Sequence, residues 1–68
     1  MLCIGSNVKV KRDFIIKIAK NDFELAKFLA NKIGVVIEFD DITWHWVVKF
    51  DDRKYSFRWY HLEEIDEE

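Results

Sequence analysis

The sequence predicts a small, mainly β domain with one amphipathic helix at about residues 22–33. Several segments alternate apolar and polar residues with the period of two that half-buried strands require, and only one stretch changes to a clear helical period. Aromatic residues make up 16% of the 68 residues. A chain of this size buries only about 60% of the surface that its unfolded form exposes, so it needs bulky core residues. We therefore expect one domain over residues 1–68.

The first strand is predicted in "NVKVKRDFIIKI", residues 7–18, where two valines alternate with two lysines before Arg12. The apolar run "FIIKI" that follows could continue this strand, or follow it after a bend near Asp13. Both alternatives are β-strands, and neither adds a helix.

The helix is predicted in "NDFELAKFLANKIG", residues 21–34. Asn21 is a plausible N-cap, Glu24 its capping-box partner, and Gly34 the residue expected after the last turn. The apolar arc is broad. We expect the helix either to pack against the sheet or to leave Phe23 or Phe28 exposed for a partner.

Four further strands complete the predicted sheet: "GVVIEF", "TWHWVVKF", "KYSFRWY" and a short edge strand within "HLEEI" that buries Leu62. The aspartate pairs in "DDI" and "DDR" indicate turns, and the second and third of these strands form a hairpin. Alternation places Trp44, Trp46, Val48 and Phe50 on one face of their strand, and Tyr55, Phe57 and Trp59 on one face of the next. With Trp46, Val48, Phe50 and Phe57 facing inward, a functional patch would consist of the aromatic residues left partly exposed near the strand ends and the rim: Trp44, Tyr55, Trp59 and Tyr60. In so small a core we expect at least two of the three tryptophans to be mostly buried.

The residue inventory excludes most catalytic and metal chemistry. His45, His61 and Cys3 lack the close sequence pairs of a zinc site, and the aspartate pairs lack the spacing of a calcium loop. Two glycines, Gly5 and Gly34, cannot build a phosphate cradle. We expect no cofactor, no metal and no enzymatic activity.

The cysteine content and the hydropathy of the sequence predict the cellular compartment. A lone cysteine cannot form an internal disulfide, and no apolar run approaches the length of a membrane span or of a secretory signal. We expect a cytoplasmic protein with no membrane partner.

The order "GSNVKVK", "GVVIEF", "WVVKFDDRKYSF" and "HLEEI" resembles small SH3-like barrels, including the Mib/Herc2-type, KOW-type and photosystem I accessory subunit barrels. These share a glycine-led first strand, a V-x-F-D-D hairpin and a closing leucine followed by acidic residues. The resemblance implies a five-stranded SH3-like barrel whose long first loop is replaced by the helix. It implies no particular chemistry, because unrelated functions share this fold.

We expect the protein to be a binding module or adaptor for a protein partner, because exposed tryptophan, tyrosine and arginine make protein-binding hot spots. The residues predicted to bind the partner are Trp44, Tyr55, Arg58, Trp59, Tyr60, Glu63 and Glu64. The acidic end "EEIDEE" also suits a nucleic-acid mimic, of the kind with which phage inhibitors occupy host defence proteins.

The alternative is a nucleic-acid-binding barrel that uses strand aromatics and a basic first half. Residues 1–33 carry seven Lys or Arg and three carboxylates, whereas residues 34–68 carry four and ten. The residues predicted for this alternative are Lys9, Lys11, Arg12 and Lys17. An exposed edge strand would permit a monomer or a weak homodimer.

Overall fold

The computed structural model describes residues 2–65 as five antiparallel strands, two α-helices and one short 3-10 helix. The strands are β1 (Asn7–Val10), β2 (Gly34–Asp40), β3 (His45–Phe50), β4 (Arg53–Phe57) and β5 (Leu62–Glu64). The helices are α1 (Arg12–Asn21), α2 (Phe23–Leu29) and the 3-10 helix η1 (Trp59–His61). The mainly β prediction is confirmed.

The strands form one open sheet in the order β4-β3-β2-β1-β5. A closed barrel is therefore wrong for this chain. β5 is only three residues long and pairs with β1, and β4 pairs with β3, so the two edge strands share no ladder within residues 2–65. A register shift between Val36 and Glu38 marks a bulge in β2, which adds local twist to the sheet.

Two helices, not one, connect β1 to β2. The "FIIKI" run predicted as strand lies in α1, because Phe14, Ile15 and Ile18 have helical spacing and pack as half-buried side chains against the core. An apolar run this short fits either period, which explains the error.

The helix predicted at 22–33 is α2, and its caps differ from the prediction. The N-cap is Asp22, whose carboxylate accepts a hydrogen bond from the Leu25 N–H at 3.1 Å, while Asn21 closes α1. The helix ends at Leu29, Asn31 takes a positive φ of 60°, and Gly34 opens β2.

The β3–β4 hairpin and both aspartate turns are confirmed. Within residues 2–65 no polar or charged side chain is buried, and the core consists of nine buried hydrophobic residues: Val8, Val10, Ala26, Leu29, Val36, Val48, Phe50, Phe57 and Leu62. It contains no tryptophan. The expectation that at least two tryptophans are mostly buried is wrong, since Trp44 and Trp59 are 68% and 66% exposed.

Candidate functional site

All three tryptophans line one apolar groove of about 480 Å³ at the surface. This volume lies within the range of small-ligand and side-chain pockets. Its walls come from six separate segments of the chain: Leu2, Lys11, Phe39, Trp44, Trp46, Trp59, Leu62 and Glu64. We call this set the tryptophan groove.

The β2–β3 turn places Trp44 at the edge of the groove. The Asp40 carboxylate accepts hydrogen bonds from the N–H groups of Ile42 at 3.0 Å and Thr43 at 3.4 Å, and the Trp44 N–H donates to the Asp40 carbonyl at 2.7 Å. The Ile42 hydrogen bond is the largest cause that lowers the pKa of Asp40. Trp44 itself has φ +61°, a left-handed conformation that bulky residues rarely adopt.

Phe39 joins two of the tryptophans into one wall. Its ring lies 4.6 Å from Trp46 in a tilted contact and 5.9 Å from Trp44 in an edge-to-face contact. Phe39 and Trp46 are opposite each other in the β2–β3 ladder. The strand pairing thus fixes two rings, and the turn adds the third.

Trp59 reaches the opposite side of the groove from η1. The predicted strand "KYSFRWY" stops at Phe57, and Arg58 caps a 3-10 turn in which the His61 N–H donates to the Arg58 carbonyl at 3.0 Å. This turn takes Trp59 out of the strand predicted for it. Tyr60 is 48% exposed and packs edge-to-face on Trp59 at 5.6 Å.

His61 lies beside the groove in a stacked contact with Phe14, with ring centroids 3.6 Å apart. Burial lowers the pKa of His61, and the positive charges of Lys17, Arg58 and Lys11 lower it further. Burial and three neighbouring cations therefore all favour the neutral form of this imidazole.

The structure brings together only part of the partner-binding set predicted from sequence. Trp44, Trp59 and Glu64 line the tryptophan groove, and Arg58 and Tyr60 flank Trp59 along the chain.

Tyr55 and Glu63 lie elsewhere. Tyr55 is half-buried in β4 and lines a polar depression with Phe28 and Arg53. Glu63 lines a depression with Lys9 and other residues of β1 and α1. The predicted partner-binding residues therefore lie on three separate surfaces. They were predicted together because they are close in sequence.

The basic set is divided as well. Lys9 and Arg12 share the depression with Glu63, Lys11 lines the tryptophan groove, and Lys17 lies near His61. No single basic stripe unites the four.

Sequence reasoning missed Leu2, Phe39 and Leu62 as groove residues and placed Trp46 in the core. The turn predicted after Asp40 could have identified Phe39 as a neighbour of Trp46. A hairpin that pairs Asp40 with His45 also pairs Phe39 with Trp46.

The other face considered from sequence, that of the second helix, is less open. Phe28 is covered by two cations, with Arg53 at 4.1 Å and Lys32 at 4.5 Å from its ring centroid. Lys32 is held there by an ion pair with Asp51 at 2.9 Å. Phe23 remains exposed as a single ring.

Comparison of the chain with protein families, with curated proteins and with solved structures finds no match. Within residues 2–65 no helix is long and apolar enough to cross a membrane, and no group of three or more His, Cys, Asp or Glu side chains is arranged to hold a metal ion.

Proposed function

We propose that the protein is a non-enzymatic binding module and that its tryptophan groove receives apolar side chains of a protein partner. One observation carries this proposal: three tryptophans and Phe39 from separate segments line the same concave surface. Tryptophan is among the residues most enriched in interface hot spots, and such hot spots pair with pockets.

The backbone at Trp44 supports the same proposal. A left-handed conformation costs an L-residue roughly 1–2 kcal/mol, and the side chain is 68% exposed, so it recovers little by burial. Residues held in sparsely populated backbone conformations cluster at active sites and ligand-binding sites.

We also propose that the open sheet is a variant of the SH3-like barrels that the sequence resembles. The meander β1 to β4, the return of β5 to β1, and the helices inserted between β1 and β2 support this. Function does not follow from the likeness, because this fold serves many functions.

The test is a selection from a library of random peptides of about ten residues, which when extended span the 33 Å length of the domain. We expect wild type to enrich peptides with two or more large apolar residues. Trp59→Ala and Trp44→Ala should lose them, while Phe23→Ala, which removes an exposed ring outside the groove, should retain them. Peptides that depend on Phe23 and not on Trp59 would refute the groove as the site.

Binding of single-stranded nucleic acid is the second candidate, favoured by Lys11, which lines the groove with Trp59, and by Lys17 and Arg58 near His61. An oligonucleotide bound in this way should lose most of its affinity between about 50 mM and about 200 mM salt. The Lys9→Glu/Lys11→Glu variant should abolish it, whereas a peptide anchored at Trp59 should depend far less on salt. Mimicry of nucleic acid by the acidic end stays a prediction, since residues 66–68 lie outside the described part of the chain.

A further inference from the structure

A cluster of three cations adjoins the tryptophan groove and converges on His61. Two backbone hydrogen bonds bring the chain at Lys11 and Arg58 to His61: the Lys11 backbone N–H donates to the His61 carbonyl at 2.9 Å, and the His61 backbone N–H donates to the Arg58 carbonyl at 3.0 Å. Lys17 lies one helical turn beyond Phe14, the residue whose ring stacks on His61. The cations therefore come from three segments that the fold brings to one place.

These cations have no carboxylate partner within residues 2–65. The ion pairs of the described residues are Lys27 with Glu24 at 3.9 Å and Lys32 with Asp51 at 2.9 Å, and both lie on other surfaces. The pKa of His61 is lowered first by burial and then by the charges of Lys17, Arg58 and Lys11, which places all three cations near its ring. An unpaired cluster of this kind attracts an anionic group.

The cation cluster and the groove are continuous. Lys11 belongs to both, and Arg58 immediately precedes Trp59. We propose that the partner presents an acidic polypeptide segment, with apolar side chains in the tryptophan groove and carboxylates beside them on Lys11, Lys17 and Arg58. This inference rests on the proposed function of the groove, and it adds the chemical class of the partner.

Charge complementarity favours a polypeptide over a nucleic acid. The cations lie on the His61 side, whereas Leu2, Phe39, Trp44 and Trp46 make the rest of the groove apolar. A phosphodiester chain carries a charge at every nucleotide, whereas an acidic peptide can confine its charges to the side of the cations and place apolar side chains in the groove.

The experiment uses the full chain and the same random peptide library. We expect the peptides enriched by wild type to be acidic as well as apolar. Lys17→Glu and Arg58→Glu should each weaken a synthesised acidic peptide by about tenfold. Lys20→Glu, which makes the same charge change at an exposed site on α1, should leave its affinity unchanged.

His61 supplies a second readout. Carboxylates bound beside it should raise its pKa, which is measured from the pH dependence of its Cε1–H resonance with and without the acidic peptide. A merely structural effect of Lys17 or Arg58 on folding would not produce this shift in the wild-type protein.

The alternative outcomes separate the two proposals. Enriched peptides that need Trp59 but are neutral or basic would overturn the acidic assignment and leave the groove function intact. If no enriched peptide depends on Trp59, both proposals fail. A thymidine oligonucleotide that binds through Trp59 and Lys17 more tightly than any selected peptide would replace the acidic polypeptide with a nucleic acid.

Discussion

Replacing Trp44 by glycine should give a more stable protein than replacing it by alanine. The residue has φ +61°, where alanine bears a penalty of roughly 1–2 kcal/mol and glycine none. Glycine loses about 0.4–1 kcal/mol of this advantage through the greater freedom of its unfolded chain. Both variants lose the same contact with Phe39, so that term cancels. The net preference for glycine is about 1 kcal/mol.

The measurement is urea and thermal unfolding followed by circular dichroism. A difference of about 1 kcal/mol corresponds to roughly 4–8 °C in Tm for a domain of this size. Ile42 is the matched control, because it lies in the same turn, is 87% exposed and does not have a positive φ. There the order should reverse, with Ile42→Ala more stable than Ile42→Gly. Equal stability of the two Trp44 variants, or a more stable alanine variant, would refute the strain at this turn.

Three further predictions concern packing and pH. Gly34→Ala should destabilise the protein by about 1–3 kcal/mol in urea unfolding, because the added Cβ would lie 2.7 Å from two ring atoms of the buried Phe50. The pKa of His61 is lowered by burial, so the free energy of unfolding should fall as pH decreases from about 6.5 through its folded pKa and stay level above that range; His61→Phe should remove this slope. The pKa of Asp40 is lowered, chiefly by the Ile42 hydrogen bond, so its contribution is complete above its ordinary value of 3.8 and lost as pH falls through the folded value. Asp40→Ala should abolish this acid dependence.

Much of the sheet could be predicted from local pattern. Val8 and Val10 alternate with lysines and are buried as the period of two requires, and Val48 and Phe50 face inward beside Phe57 as expected. These positions lie in the middle of strands, where periodicity and burial are governed by the same geometry. The open edge could not be predicted, since closure depends on how far β5 extends past η1, and no local pattern encodes that length.

The first helix was missed for a different reason. Residues 14–18 contain three isoleucines, which favour strands by local propensity, and the run is too short for its period to decide. Packing decides instead, because from α1 the Phe14 ring contacts both Phe57 and His61. That contact joins residues far apart in sequence.

The two exposed tryptophans depart from strand periodicity at the same surface. Burying a large apolar side chain contributes about 1.5–3 kcal/mol, a considerable share of the roughly 3–10 kcal/mol that a domain of this length has in total. Neither Trp44 nor Trp59 contributes this stabilisation in full, because the left-handed turn at Trp44 and the 3-10 turn at Trp59 leave both side chains exposed. If the two departures were unrelated, nothing would direct both rings to one groove. Departures from local rules are expected at functional or strained positions, and here both departures lie on the walls of the tryptophan groove, which is the reason to test this groove first.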